Sequence, residues 1–262
     1  MIQALSNSNT VPMTRVPWNE PGIIMKMLDL GVQGIIAPMI NTKDDCEKFV
    51  SYCYYPPLGQ RSFGPMRAQV VYGSDYYQHA NKNIVSLAMI ETKQAVENLD
   101  EILSVPNLTG IYIGPADMSS SYGLPPKFDV REDPVFSNIK MIAKKAKEKG
   151  KIAGIHNGSV KYMKEMMQYG FQFTTLLSDF RMMTSNAESF LNLINTLVNN
   201  SYITTFVAFS YLVFLYHILT GVRHLIMDMH IGESLEASKY SSIFVFFIWF
   251  LSVITSFMVI FT

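Results

Sequence analysis

The sequence has 262 residues, room for one large domain or two small ones, and its 21 basic and 21 acidic side chains cancel. That balance leaves no electrostatic footprint for a nucleic-acid partner, so none is expected. The two cysteines, Cys46 and Cys53, support neither a disulfide framework nor a zinc site and read as reduced structural thiols in a helix and the loop after it.

No charged-then-apolar leader opens the chain. From residue 11 to about 190, short apolar runs alternate with amphipathic stretches. The predicted strands are VPMTRV (11–16), GIIAPMI (34–40), IVSLAMIE (84–91), GIYIGPA (110–116), IAGIHN (152–157) and FQFTTLLS (171–178). Near-continuous apolar runs of this kind suit parallel strands covered on both faces. Between them GIIMKMLDLG, TKQAVENLDEIL, PVFSNIKMIAKKAKEKG and SVKYMKEMMQYG read as helices, three of them stopped by Gly31, Gly150 or Gly170. The alternation predicts an α/β fold with a parallel sheet. Six units fall short of the eight of a (β/α)8 barrel, so the expected fold is an incomplete (β/α)8 TIM-type barrel. An open doubly wound sheet would also accommodate six strands, but the Gly-rich dinucleotide fingerprint is absent. The longest connection, residues 54–83, is aromatic and rich in Gly and Pro, and reads as a lid or binding loop.

Beyond Asn200 the composition changes. Only Arg223 and Lys239 are basic there, and only Asp228, Glu233 and Glu236 are acidic. Residues 201–222 and 240–262 carry no formal charge, and each run exceeds the roughly 20 residues that cross a bilayer as a helix. Two transmembrane α-helices are therefore expected, with two buried core helices as the other reading, and Tyr202, Tyr211, Tyr216 and Tyr240 as interfacial anchors. The expected domains are 1–195, the barrel segment, and 196–262, the membrane segment.

Active sites of parallel barrels lie at the carboxyl ends of the strands. Glu91 closes one predicted strand and Asp117 follows the next, at matching positions. Two carboxylates converging there suit a hard divalent cation, Mg²⁺ or Mn²⁺; the other reading makes both of them caps. Arg15 ends the first strand on the same rim, placed to hold an oxyanion or to form a surface ion pair. His156 and Asn157 end another strand there, and His156 is either an acid–base residue or structural.

At this point the stretch 11–181 resembles the HpcH/HpaI aldolase family of metal-dependent pyruvate aldolases. The resemblance is carried by TRVPWNEP, KMLDLGVQGIIAPMI, YYPPLGQRSFGP, MIET, IYIGPADMSSSYG and LLSDFR. It implies retro-aldol cleavage of a 4-hydroxy-2-oxo acid to pyruvate and an aldehyde. Glu91 and Asp117 would be the metal ligands, the amides of Ala116 and Asp117 would hold the substrate carboxylate, and Arg15 would stabilise the enolate. Asp29 matches the family's acid that tunes a basic histidine, and Met89 stands where some members have a substrate-contacting glutamine. In the family two further strand units precede TRVPWN and carry that histidine, which this sequence does not contain; the resemblance therefore implies an aldolase without its family base.

The segment 202–262 is similar to the last two spans of the cytochrome b-type membrane anchor subunit of succinate dehydrogenase, through His217, Gly221, Val222, Arg223, His224 and Asp228. The resemblance implies a b-type haem with His217 on the iron and Arg223 and His224 near the propionates. A second axial ligand would come from another membrane subunit, and electrons would pass to quinone. An ionisable residue in an apolar span is a functional candidate by default, although a bond to a neighbouring helix would also explain His217. His224 lies seven residues on, about 10 Å along a helix, too far to share the same iron. Three functional readings follow: a membrane-tethered aldolase with its head in the cytoplasm, a haem-binding anchor subunit, and a non-native fusion of two gene fragments. A continuous genomic read across the codons for residues 185–205 separates the third from the others.

Overall fold

The computed structural model describes residues 2–5, 8–198, 200–229 and 234–261. They divide into two units, Met1–Ser178 and Asp179–Thr262.

The first unit is built on β1 (Met13–Arg15), β2 (Gly34–Ala37), β3 (Val85–Ile90), β4 (Gly110–Ile113), β5 (Ile152–Asn157) and β6 (Phe173–Leu176). These form one sheet in sequential order, with every neighbouring pair parallel. The sheet curls into a partial barrel, with β1 and β6 as its edges. Each of the six predicted strand segments contains one of these strands.

Alternation along the strands makes two apolar layers. Ile35, Ala37, Ala88, Ile90, Ile111, Ile113, Ala153 and Ile155 face the helices, where they meet Leu28, Phe49, Ile139 and Ile142 in one buried cluster. Ile36, Leu87, Met89 and Tyr112 face the other way and form a smaller cluster inside the curl, with Met13, Val85 and Phe173 against it. A strand buried on both faces must be apolar at odd and even positions alike, which is the pattern seen in β2 and β4.

The helices follow their caps. In α2 (Pro21–Asp29), the Glu20 carboxylate accepts from the amides of Gly22 and Ile23. Thr42 and Asp45 make a reciprocal capping box at the start of α3 (Lys43–Cys53). Both cysteines lie in α3, buried and free, and burial raises both thiol pKa values, that of Cys46 to about 12. The helices α9 (Val135–Glu148) and α10 (Val160–Gln168) stop where Gly150 and Gly170 turn to φ +66° and +102°. A Cβ at either glycine would meet nothing within 4 Å, so backbone conformation and not space selects glycine.

Two local expectations are revised. Residues 54–83 are not a plain loop: they contain α4 (Met66–Tyr72) and α5 (Tyr76–Asn83), held to the core by Ala68, Tyr76 and Ala80. Asn81 ties this excursion down, accepting from Tyr55 N–H at 2.8 Å and donating to Tyr55 C=O at 3.0 Å. The helix expected over 92–103 is broken into α6 (Lys93–Glu97) and α7 (Leu99–Leu103), because Asn98 leaves helical geometry while its side chain donates to Asn41 C=O at 2.8 Å. Two short helices, α1 (Ile2–Leu5) and α8 (Pro115–Ser121), complete this unit.

The second unit is helical: α11 (Asp179–Val198), α12 (Ser201–Asp228) and α13 (Leu235–Phe261). Within α12 and α13, Tyr202–Asp228 and Glu236–Ser256 have mean hydropathies of 1.7 and 1.6 and bury none of their most apolar windows in the protein. Their length and composition suffice to cross a membrane, and most of their apolar side chains outside the face that each turns to the other are exposed, which disfavours the soluble-core alternative. Polar contacts join the two helices. Arg223 donates from Nε to Ser241 Oγ at 3.0 Å and from Nη2 to Ser238 Oγ at 2.8 Å, and Trp249 Nε1 donates to Leu212 C=O at 2.8 Å.

Candidate active site and apolar helical segment

At the carboxyl end of the sheet, Arg15, Met89, Tyr112, Ala116, Asp117 and His156 line one cavity of about 230 Å³. Glu91 immediately follows β3 and is 1% exposed. Its Oε1 accepts from Met39 N–H at 2.7 Å, while its Oε2 is buried with no hydrogen-bond partner. Burial first, and then the negative charge of Asp117, raise the Glu91 pKa, against the pull of the Met39 amide and Arg15. Asp117 comes from the first turn of α8, directly after β4. A buried carboxylate with an open oxygen, repelled by a second carboxylate, is the donor arrangement that a divalent cation relieves. Among the described residues no third carboxylate, His or Cys joins them, so waters or a chelating substrate would fill the remaining positions.

Two residues that sequence reasoning passed over set this geometry. Met39 holds φ +55°, a left-handed conformation uncommon for a side chain of its size, and from there its amide reaches Glu91. Gly114 stands behind the carboxylate, where a Cβ would lie 2.7 Å from Glu91 Oε2 and 2.9 Å from Met89 Cε. Nothing in the residue pattern signals a main-chain donor at position 39; Gly114 is visible only as one residue of the IYIGPADMSSSYG motif, inside the predicted strand 110–116.

The opposite wall is aromatic. The His156 Nδ1 lies 2.8 Å from Thr175 Oγ1, which is also bonded to the Tyr112 hydroxyl, and the imidazole packs edge-on against Phe128 at 4.7 Å. Asn157, expected on the same rim, is instead buried, with Nδ2 donating to the carbonyls of Ile155 and Thr175. Period-two alternation separates these neighbours onto opposite faces.

Asp29 is not brought to this cavity. It ends α2, which runs back from the rim over about 14 Å of helix. There it accepts from Arg61 Nη2 at 2.7 Å, beside a separate cavity lined by Lys26, Gly64 and Arg67. Arg61 is itself buried, 4.3 Å from the Tyr55 ring centre and 3.2 Å from the Tyr76 hydroxyl.

In the second unit His217 and His224 are both exposed on α12, seven residues apart and hence on nearly one face. Arg223 turns the other way, into the contact with α13, and borders an apolar cavity of about 360 Å³ with Leu219, Phe244 and Ile248.

Comparison with known proteins gives two matches along the chain. The family model described as HpcH/HpaI aldolase/citrate lyase matches residues 1–185, and that of the succinate dehydrogenase/fumarate reductase transmembrane subunit matches 167–256. A hydroxypyruvate/pyruvate aldolase of Rhizorhabdus wittichii is 41% identical over 187 residues, covering 71% of this chain and 74% of that protein. A 5-keto-4-deoxy-D-glucarate aldolase of Escherichia coli O157:H7 is 32% identical over 180 residues, 68% of this chain and 70% of that one. The fold is similar to that of an HpcH/HpaI aldolase from Desulfitobacterium hafniense, with TM-score 0.69 and 22% identity over 75% of this chain and 76% of that one. A family protein from Burkholderia cenocepacia gives TM-score 0.67 and 24% identity over 73% and 76%.

Proposed function

Because the chain belongs to the HpcH/HpaI aldolase/citrate lyase family, we propose that its first part, residues 1–195, is a metal-dependent carbon–carbon lyase. Its substrate would be a 4-hydroxy-2-oxo acid, cleaved to pyruvate and an aldehyde. The observation that carries this reading is the buried, unpartnered Oε2 of Glu91 beside the Asp117 charge. Glu91 and Asp117 would hold Mg²⁺ or Mn²⁺, which supplies Lewis-acid polarisation of the 2-oxo group. As the C3–C4 bond breaks, the C4 hydroxyl would lose its proton to water and become the aldehyde carbonyl, the bond electrons would form the C2–C3 enolate beside the positive charge of Arg15, and protonation at C3 from water would give pyruvate. The Ala116 and Asp117 amides, unpaired in the first turn of α8, would take the substrate carboxylate. Met89 would contact the carbon chain from the cavity wall. Asp29 enters only as the acid that the family resemblance pairs with a histidine base; in this chain its carboxylate holds Arg61.

The test is pyruvate release from 4-hydroxy-2-oxo acids with added Mg²⁺ or Mn²⁺, read through a lactate dehydrogenase couple. Activity lost in Glu91→Ala and in Asp117→Ala supports the reading. No pyruvate from the wild-type chain with either metal sinks it.

A second reading is supported by His217, an imidazole exposed on an apolar helix, and by the match at 167–256. Residues 196–262 would be a two-span, haem-binding anchor, with His217 as one axial ligand and a second membrane subunit supplying the other. His224 would approach a propionate, as would Arg223 if it left its serine partners. Under the first reading the lyase part would face the cytoplasm, which would invert the haem span relative to the orientation that the anchor-subunit resemblance implies. Membranes containing the wild-type chain should show a b-type haem spectrum that His217→Ala removes; an identical spectrum in the variant counts against it.

A further inference from the structure

The helix α11, between the lyase-like unit and the first apolar span, has an apolar face that the other described residues of its own unit leave exposed. Met183, Ala187, Phe190, Leu191, Ile194 and Leu197 recur at helical spacing and make one stripe. Phe190 is 63% exposed, Leu191 58% and Met183 67%. The opposite face carries Arg181, Ser185, Glu188, Asn192, Asn195 and Thr196. An apolar stripe this long, left in water, would be an association hazard.

We propose that α11 lies in the plane of a lipid surface, its stripe sunk into the boundary between headgroups and acyl chains. Continuity of the chain identifies the occupant. The helix ends at Val198, and the 28-residue apolar helix α12 starts at Ser201. If α12 crosses a bilayer, its first turn sits at the interface, and α11 is held within a few residues of it. An amphipathic helix there buries its apolar face about 5–10 Å below the headgroups. The polar face carries one Arg and one Glu among neutral amides and hydroxyls, so apolar area and not attraction to anionic lipid drives the contact. This proposal rests on the reading of α12 and α13 as membrane spans.

The experiment uses the full chain reconstituted into neutral phosphatidylcholine vesicles. Nitroxide labels are placed one at a time through Phe190→Cys, Ile194→Cys, Asn192→Cys and Asn195→Cys, and through Phe214→Cys within α12. Cys46 and Cys53 are 0% exposed and remain unlabelled. Accessibility to oxygen and to a water-soluble nickel chelate is then measured. The expected result is oxygen-dominated accessibility at Phe190 and Ile194, at a depth of roughly 5–10 Å, and nickel-dominated accessibility at Asn192 and Asn195. The depths should be unchanged when anionic lipid is added. Labels at 190 and 194 closed to both reagents would mean that protein covers the stripe, and would overturn the proposal. So would nickel-dominated access at all four sites. If the Phe214→Cys label is in lipid, either failure belongs to α11 alone. If that label is in water, the membrane reading falls and the proposal with it.

Discussion

Gly114→Ala tests whether Glu91 is held as a ligand. Gly114 has φ −98° and ψ 90°, open to alanine, so the substitution acts through space and not through backbone strain. The added Cβ would stand 2.7 Å from Glu91 Oε2, 2.9 Å from Met89 Cε and 3.3 Å from Glu91 Cβ. The Met89 methyl is the end of a flexible chain and can retreat. Glu91 has less freedom, being 1% exposed with Oε1 held by the Met39 amide at 2.7 Å. Moving Oε2 away from the new methyl must rotate the carboxylate against that bond. A hydrogen bond to a charged group contributes about 1.5–3 kcal/mol. Losing that orientation is expected to weaken divalent metal binding about 10- to 100-fold. The assay is titration of the full chain in detergent with Mn²⁺, reading free Mn²⁺ by electron paramagnetic resonance, with circular dichroism confirming that the variant folds. A folded alanine variant that binds Mn²⁺ as tightly as the wild type would refute the reasoning.

Glu91→Gln should raise the stability of the metal-free protein near neutral pH and, under the proposed metal role, abolish any stabilisation by added Mn²⁺. Burial and Asp117 raise the folded-state pKa of Glu91 above its ordinary value of 4.5. The stability linked to this carboxyl is therefore fully present below the ordinary value and is lost as pH rises through the folded value, by about 1.4 kcal/mol for each unit of displacement. Urea midpoints measured against pH in chelator should show that decline in the wild type and not in the variant. Asp29→Ala should destabilise the first unit by about 3 kcal/mol, the lower end for breaking a buried pair, because it leaves the fully buried Arg61 side chain uncompensated while Asp29 itself is 27% exposed; thermal unfolding checks it. Asn81→Ala strands the N–H of buried Tyr55, at about 1–3 kcal/mol, whereas its C=O keeps the amides of Leu58 and Gly59. Faster hydrogen exchange at the Tyr55 amide should report the loss.

The strands were legible because their chemistry is redundant. A parallel strand covered on both faces is apolar at nearly every position, and each strand lies inside its expected run. Helix ends at Gly150 and Gly170 were legible for a local reason, since only the backbone conformation there demands glycine. The stretch over 54–83 was misread as a loop because its helices are short, and long-range anchors such as the Asn81–Tyr55 pair hold them. Asn157 ends its strand at the rim as expected, but its side chain is buried away from the cavity, because the end of a strand does not declare which face its last residue takes.

The sequence by itself determined the alternation of six strands with helices, the change to apolar helices after Asn200, and the two carboxylates at matching strand ends. Each of these depends on short-range pattern: periodicity, charge spacing and turn chemistry. Only the tertiary structure decided that Arg15, Met89, Ala116 and Asp117 share a cavity while Asp29 pairs with Arg61, and that Met39 and Gly114 shape Glu91. It likewise turned Arg223 toward two serines of α13 while leaving His217 exposed. Such contacts join residues far apart in the chain, through main-chain atoms and unfilled space, and no local pattern of side chains encodes them.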